Sequence, residues 1–265
     1  MSDKKDLDAM CADDFLSPVT YSAGDELSAG TTRLFWFEAG AEQGCEIIIN
    51  QQDEDIRFNL TGGEAGMFAV KSKKMLIKAG SVSGVEVNVI AMAKLQAFID
   101  AGSRAVGKTR KRETLFGFSH CKRPQQLSWK KFEYWLISQS VKKCPGMDNI
   151  VQLIRDNECY WIVNYLLTHS DEYKSLREIG GRYGLSVSHF RRLSKSALGN
   201  TAKVEMCDWR LIRAILDIMG DEQNLTAIAM KHGYASLSHF SGDVKNRFGI
   251  PPRDLKKMIN CELLK

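Results

Sequence analysis

The stretch Leu176-Arg-Glu-Ile-Gly-Gly-Arg-Tyr-Gly-Leu-Ser-Val-Ser-His-Phe190 returns later in the chain as Leu225-Thr-Ala-Ile-Ala-Met-Lys-His-Gly-Tyr-Ala-Ser-Leu-Ser-His-Phe240, with one residue inserted in the second copy. Such self-similarity indicates one structural unit used twice. In each copy apolar residues at helical spacing lead to a glycine and then to a serine, which is typical of a helix, a tight turn and a second helix. The repeat therefore predicts two helix-turn-helix units, near residues 175–199 and 224–249.

Small residues recur at matching places in the two copies. Gly180 in the first copy and Ala229 in the second are small enough to let the following helix approach closely. Ser186 and Ser236 stand where the second helix of each unit begins, and serine is a favoured N-cap residue. The local sequence thus predicts the same crossing of two helices in both units.

The second helix of the first unit carries a stripe of cations. Ser188, Arg191, Arg192 and Lys195 are spaced so that they share one helical face, opposite the apolar residues that follow Phe190. The simple interpretation is a solvated surface. The duplicated helix-turn-helix context favours contact with the major groove, where Arg bonds guanine bidentately and Lys commonly holds phosphate.

The second unit is less basic. Its equivalent stripe is Ser238, Ser241, Gly242 and Lys245, with Asp243 beside it. We therefore predict that the first unit reads sequence and that the second mainly follows the DNA backbone and shape.

The two histidines of the repeat have two open interpretations, contact with DNA or a structural role at the helix start. Neither a metal nor a cofactor is predicted, since no Cys or carboxylate ligand recurs beside them. The predicted DNA-binding residues are Ser186, Ser188, His189, Arg191, Arg192, Lys195, Ser236, Ser238, His239, Ser241 and Lys245.

One long helix is predicted between the units, over Thr201–Met219. A rigid helix here would fix the separation of two recognition helices that must enter successive major grooves, about 34 Å apart. The positions expected to be buried are Val204, Trp209, Leu211, Ile212, Ile215, Leu216 and Met219.

The first hundred residues differ in pattern and charge. Between Thr31 and about Ala93 short apolar segments alternate with glycine turns, which predicts a small antiparallel β barrel or sandwich. The strand candidates are Leu34–Glu38, Glu46–Asn50, Ile56–Leu60, Met67–Lys71, Met75–Lys78 and Val85–Ala91. Residues 1–100 have 16 acidic and 9 basic side chains, whereas the whole chain has a net charge of +5. A direct DNA contact is therefore disfavoured for these residues.

These patterns predict an α+β chain in three parts. Residues 1–101 would form a β-rich regulatory or interaction domain after an irregular lead-in over residues 1–30, with a short closing helix over Lys94–Ala101. Residues 102–126 would be a linker, and residues 127–265 an all-α DNA-binding domain. The basic run Lys108–Arg112 in the linker is open to two interpretations, a solvated hinge or an arm that contacts phosphate.

The compartment follows from cysteines and hydropathy. Seven scattered cysteines without a Cys-x-x-Cys pair indicate a reducing compartment. The polar, acidic N-terminus is unlike a signal peptide, and no apolar stretch approaches the about 20 residues of a membrane span. A cytoplasmic protein without membrane contact is expected.

The second unit resembles the DNA-binding domain of the AraC/XylS family of bacterial transcription regulators. The resemblance rests on Ile228-Ala229, Gly233-Tyr234, Ser238-His239-Phe240-Ser241, Lys245 and Phe248-Gly249-Ile250-Pro251-Pro252. The chain departs from the family where Val244 replaces the usual aromatic and Leu255 a common Tyr.

Other segments resemble one group within that family, the activators of type III secretion genes in Gram-negative bacteria. They are Tyr160-Trp161, Tyr165-Leu166-Leu167, Tyr183–Gly199 and Asp208-Trp209-Arg210. The resemblance implies activation at promoter DNA with a secretion chaperone as coactivator, in place of a small-molecule effector. RNA polymerase and a second copy of the chain, in a homodimer, are the other expected partners.

Two alternatives remain open from the residues. One is a regulator of the same type that holds a small-molecule effector in the β-rich domain. The other is a DNA-repair enzyme with a reactive cysteine, for which the only local support is Cys121 beside His120 and Cys144 after Lys142-Lys143. A protein that is not an enzyme is the favoured prediction.

Overall fold

The computed structural model describes residues 16–50, 55–103, 115–121, 128–142, 146–169, 175–220 and 224–262. The basic run at 108–112 and Cys144 lie outside these ranges. The chain divides into two compact units, Met1–Trp161 and Ile162–Lys265.

Six strands form one sheet in the first unit: β1 (Leu16–Ser22), β2 (Glu26–Ala39), β3 (Cys45–Asn50), β4 (Asp55–Leu60), β5 (Ala65–Val87) and β6 (Phe116–His120). The period-two burial expected of a half-buried strand is clearest in β3, where Cys45, Ile47 and Ile49 are buried and the residues between them are less so.

The long strand β5 curls so that its two ends flank the same strand. Leu34 in β2 pairs with both Ala69 and Val87. In both pairings the residue numbers rise along β2 while they fall along β5, so β2 runs antiparallel to both ends. The middle of β5 pairs with β3, which in turn pairs with β4 at the sheet edge. The result is the predicted antiparallel β architecture, in the form of a half-barrel.

Phenylalanine rings fill the inner face of this sheet. Phe35 and Phe37 stack with their ring centroids 4.7 Å apart, and Phe37 lies 5.8 Å from Phe68. Phe58 extends the aromatic cluster, with its centroid 5.6 Å from Phe68 and 5.0 Å from Phe118. Burial of these rings, together with their ring–ring contacts, stabilises the sheet.

Three sequence predictions for the first unit are corrected. β1 and the start of β2 lie in the segment predicted to be an irregular lead-in, and β6 lies in the predicted linker. The predicted strand Val85–Ala91 is wrong beyond Val87, because helix α1 (Val89–Ser103) begins there, earlier than the predicted short helix. β1 and β6 were missed because they are held by pairing with β5, which is distant in sequence.

Helix α1 lies between β5 and β6 in the chain, and three helices follow β6. They are α2 (Trp129–Lys142), α3 (Met147–Arg155) and α4 (Glu158–His169). α3 packs on β6 and on α1, so the first compact unit extends beyond the predicted boundary near residue 127. The division falls within α4, between Trp161 and Ile162.

A buried carboxylate joins three of these helices. Asp100 in α1 has a side chain that is only 4% exposed. Arg155 in α3 donates to it bidentately, with Nε 2.8 Å from Oδ2 and a terminal nitrogen 2.6 Å from Oδ1. The Tyr160 hydroxyl in α4 donates to Oδ2 at 2.7 Å. Burial, and then the Asp100 hydrogen bond, raise the pKa of Tyr160.

The second unit is helical, with α5 (Leu176–Tyr183), α6 (Val187–Leu198), α7 (Ala202–Gly220), α8 (Leu225–Lys231), α9 (Leu237–Phe248) and α10 (Pro252–Glu262). The predicted long helix over Thr201–Met219 is confirmed as α7, and α10 was not predicted. The α+β class and the two joined helix-turn-helix units are likewise confirmed.

Trp209 and Leu211 of α7 are buried as predicted, but other positions of its buried face differ from the prediction. Leu211, Ala214 and Ile218 pack against α8 and α9. Val204, Ile212 and Leu216 were expected to be buried, but they are 44%, 50% and 58% exposed. The face that packs is centred on Ala214, a residue too small to mark it in a hydropathy pattern.

Candidate nucleic-acid interface

The first helix-turn-helix unit consists of α5, a short turn and α6. α5 begins with a capping box, in which the Ser175 side chain accepts from the Glu178 amide and the Glu178 carboxylate accepts from the Ser175 amide. It ends at Gly184, whose φ of 85° lies in the left-handed region that favours glycine. Ser186 then caps α6, since its hydroxyl accepts from the amide of His189 at 3.3 Å.

The two helices of this unit cross closely at Gly180. Gly180 and Phe190 are both buried. A Cβ atom at Gly180 would lie 3.0 Å from Cγ of Phe190. The predicted role of a small residue here is therefore confirmed by geometry.

The second unit repeats this construction. Asn224 caps α8 by accepting from the Ala227 amide at 2.8 Å, and Ser236 caps α9 by accepting from the His239 amide at 3.1 Å. Both predicted serine N-caps are thus confirmed.

The structural repeat extends beyond the stretches that are similar in sequence. α5 and α8 share one burial pattern, with two adjacent buried residues, Ile179-Gly180 and Ile228-Ala229, at the same place. It continues beyond the recognition helices, because Ala202 in α7 and Pro252 in α10 are both buried at the starts of the next helices. Sequence comparison missed this part because burial is retained there while residue identity is not.

The predicted cationic stripe lies on the exposed face of α6. Ser188, Arg191, Arg192 and Lys195 are all exposed. The opposite face is buried and consists of Phe190, Ser194, Ala197 and Leu198. Ser194 is buried because its hydroxyl donates to the carbonyl of Phe190 at 2.7 Å, a contact that the sequence did not suggest.

The cations of this stripe have no acidic partner in the part of the chain that the structure describes. Among the residues described, no carboxylate lies within 4.0 Å of Arg191, Arg192 or Lys195. No described carboxylate therefore compensates their charges, and this exposed face has the positive potential that attracts phosphate groups.

The matching face of α9 carries less charge. Ser238, Gly242 and Lys245 are exposed, and Ser241 is half-buried. His239 lies 3.9 Å from Asp243 and meets the ring of Tyr234 edge-on, with centroids 5.3 Å apart. These contacts favour the structural interpretation of His239, whose side chain is nevertheless half exposed, whereas no ring contact of this kind accompanies His189 among the described residues.

An ion-pair cluster fixes α8 to α7. Asp217 in α7 accepts from Lys231 at 2.8 Å and lies 2.7 Å from Nε2 of His232. Hydrogen bonds from Lys231 and then His232 lower the pKa of the Asp217 carboxyl. The second helix-turn-helix unit is thereby held in a fixed orientation on the long helix α7.

A tyrosine holds α5 on the last turns of α4. The Tyr165 hydroxyl donates to the carbonyl of Ile179 at 3.3 Å, and its ring meets that of Tyr183 with centroids 4.9 Å apart. Tyr165 therefore contacts α5 through both its hydroxyl and its ring.

Within the described residues, no group of three or more His, Cys, Asp and Glu side chains is placed to hold a metal ion. In the same part of the chain, no helix is both long enough and apolar enough to cross a membrane.

Sequence comparisons agree with this construction. Residues 179–258 match the family described as "Helix-turn-helix domain". The invasion protein InvF of Salmonella typhi is 40% identical over 130 residues, which are 49% of this chain and 60% of InvF. The chain thus matches less than two thirds of that relative. The transcriptional regulator MxiE of Shigella flexneri is 30% identical over 202 residues, which are 73% of this chain and 94% of MxiE.

Solved structures are also similar. A regulator from Chromobacterium violaceum with an AraC-type DNA-binding domain is 26% identical, with a TM-score of 0.34, and the match covers 37% of this chain and 88% of the other. ToxT from Vibrio cholerae is 16% identical, with a TM-score of 0.35, and the match covers 92% of this chain and 98% of ToxT.

Proposed function

The chain belongs to the AraC-type family of helix-turn-helix transcriptional regulators, and from this we propose that it is a sequence-specific activator that binds promoter DNA through α6 and α9. The observation that carries the proposal is the exposed, unpaired cationic stripe of α6. It lies opposite a buried apolar face, in the second helix of a helix-turn-helix unit.

In this mechanism α6 enters the major groove. Arg191 and Arg192 each present a planar guanidinium with paired donors, which fits the O6 and N7 acceptors of guanine. Lys195, one turn further on, presents a compact charge suited to phosphate. Ser188 and His189 stand at the start of the helix, where recognition helices commonly approach the bases.

α9 makes the second contact with DNA, and it offers more hydroxyl groups and fewer cations than α6. Ser238, Ser241 and Lys245 supply short donors and one free charge, which suit backbone oxygens better than a base code. Ser186 and Ser236 position both helices as caps, and their hydroxyls lie at the helix ends that would face DNA. α7 sets the spacing of the two contacts, so we expect occupation of successive major grooves on one face, about 34 Å apart.

The target genes are proposed from the relatives. InvF and MxiE, an invasion protein and a transcriptional regulator, suggest that this chain activates type III secretion genes in the bacterial cytoplasm together with RNA polymerase. A secretion chaperone is proposed as coactivator, and a homodimer as the active form. The acidic excess of the first hundred residues suits a protein partner better than DNA.

The alternative of a small-molecule effector receives less support from the first unit. The inner face of its sheet is occupied by stacked phenylalanine rings, including Phe35, Phe37 and Phe68. Rings at these spacings pack against one another as a core does. A protein coactivator requires no interior space and is the better match to this arrangement.

Footprinting of the full chain on promoter DNA of the native host tests the proposal. We expect protection of two adjacent major grooves, and activation of the same promoters in a reporter strain only when the chaperone is co-expressed. Protection no stronger than on random-sequence DNA would disprove the DNA-reading role. Equal activation with and without the chaperone would disprove the coactivator alone.

A further inference from the structure

Gly242 occupies an interior position of α9 where nothing in the described chain requires glycine. It is exposed, it does not have a positive φ, and a Cβ atom there would have no described atom within 4 Å. Glycine is among the least favourable residues in a helix interior. Its presence weakens α9, and no contact among the described residues offsets that cost.

The neighbours of Gly242 show that it lies on the face of α9 proposed to meet DNA. Residues three and four positions apart share a helical face, which joins Gly242 to Ser238 and Lys245. Both neighbours are exposed, and Lys245 has no carboxylate within 4.0 Å in the described part of the chain. The helix backbone is thus bare where a serine and a free cation flank it.

The first helix-turn-helix unit has a long side chain at the matching position, Arg192 in α6. A long side chain spans the gap between a recognition helix and its target, whereas bare backbone permits direct contact. We propose that Gly242 lets the backbone of α9 pack directly against the sugar-phosphate wall of the major groove. The second unit is then seated more closely on DNA than the first. This inference rests on the proposed function.

A close seat explains how a weakly charged helix still contributes to binding. Hydroxyl and amine donors are effective only near the phosphate oxygens, because hydrogen bonds in proteins have donor–acceptor distances of about 2.5–3.2 Å. With no side chain at position 242, Ser238, Ser241 and Lys245 reach that range together. Any side chain at this position would hold all three away.

The test is Gly242→Ala in the full chain, with Gly181→Ala as the matched control. Gly181 is also exposed, lies in a helix and has open space around it. Its counterpart Met230 shows that this position accepts a side chain, since Met230 is 61% exposed. We expect each substitution to raise the Tm, by about 2–4 °C.

The two variants should differ in DNA binding. On the duplex footprinted with the wild-type chain, we expect Gly242→Ala to bind about tenfold more weakly, as an added methyl group does in a close-packed contact. Gly181→Ala should bind as the wild type does. A gain in stability together with a loss of affinity is the signature of close approach.

Gly242→Arg distinguishes close packing against DNA from a simple gap between DNA and α9 at position 242. If there were a gap, a guanidinium placed like that of Arg192 would strengthen binding, and the inference would be overturned.

An unchanged affinity of Gly242→Ala for DNA would overturn the inference as well. So would a variant that keeps its affinity and loses only activation, because the contact would then be with a protein. Failure of the wild type itself to prefer its promoter removes the proposed function, and this inference with it.

Discussion

Gly180 in α5 and Phe190 in α6 meet so closely that a Cβ atom on the glycine would come within 3.2 Å of two further ring and Cβ atoms of the phenylalanine. This contact sets the angle between the two helices of the first unit. The second unit makes the same crossing with Ala229 and Phe240, both fully buried. The crossing therefore tolerates one methyl group and little more.

Gly180→Leu is expected to destabilise the helical unit by about 1–3 kcal/mol, because the added atoms have no space beside Phe190. Gly181→Leu is the matched control, since its side chain would enter open space. Urea unfolding followed by circular dichroism measures both. Equal stability of the two variants would show that the crossing is not close-packed.

Arg191→Ala and Arg192→Ala should each weaken binding to the specific site by about 1–3 kcal/mol and relax its sequence preference. The physical reason is the loss of bidentate hydrogen bonds to a base edge. Arg177→Ala is a suitable control, because Arg177 is exposed on α5, outside the recognition helix. Affinity is measured on specific and random duplexes at fixed salt. A loss of equal size on both duplexes would assign these arginines to phosphate.

The buried carboxylate of Asp100 should matter more than a more exposed pair of similar geometry. Asp100→Ala leaves the Arg155 guanidinium without its partner and is expected to cost about 3 kcal/mol of stability. Glu86→Ala removes the partner of Arg33, which is bonded at 2.6 Å but with both side chains a quarter or more exposed, so about 1 kcal/mol is expected. Thermal unfolding compares the two. Similar losses would mean that burial adds nothing to the Asp100 network.

Acid should weaken the second helix-turn-helix unit through Asp217. Its pKa is lower in the folded chain than in the unfolded one, because Lys231 and His232 bond the charged form. The stabilisation is therefore complete above the unfolded pKa, near 4, and is lost as the pH falls through the folded pKa. Asp217→Asn should reduce stability at neutral pH and flatten its dependence in the acid range. Parallel stability curves for variant and wild type below pH 5 would contradict this.

The helical unit was predictable because its signals are local. Gly184, Ser186 and Ser236 mark helix ends through their own conformations or hydrogen bonds, and the repeat confirmed their spacing. The cationic face of α6 also follows from spacing alone. Its freedom from acidic partners required the structure.

The β-rich compact unit, Met1–Trp161, was predictable only in outline. β1 has the sequence Leu-Ser-Pro-Val-Thr-Tyr-Ser, with little apolar alternation, and its strand conformation depends on pairing with the end of β5. The exposed face of α7 was misassigned for a related reason, since Ala214 decides which side packs. Tertiary contacts overrode the local pattern in both places.

The curling of β5 around β2 has a consequence for how the chain reaches its native state. Leu16 pairs with Val87, and the sheet is complete only when β6, ending at His120, joins β5. Pairings between residues so far apart must overcome the entropy of closing long loops, whereas the turns of the helix-turn-helix units close between neighbours. On the ribosome the N-terminal sheet is made first. Its topology nevertheless makes it the slower half to fold, so newly made chains expose unpaired strand edges for longer than they expose unformed recognition helices.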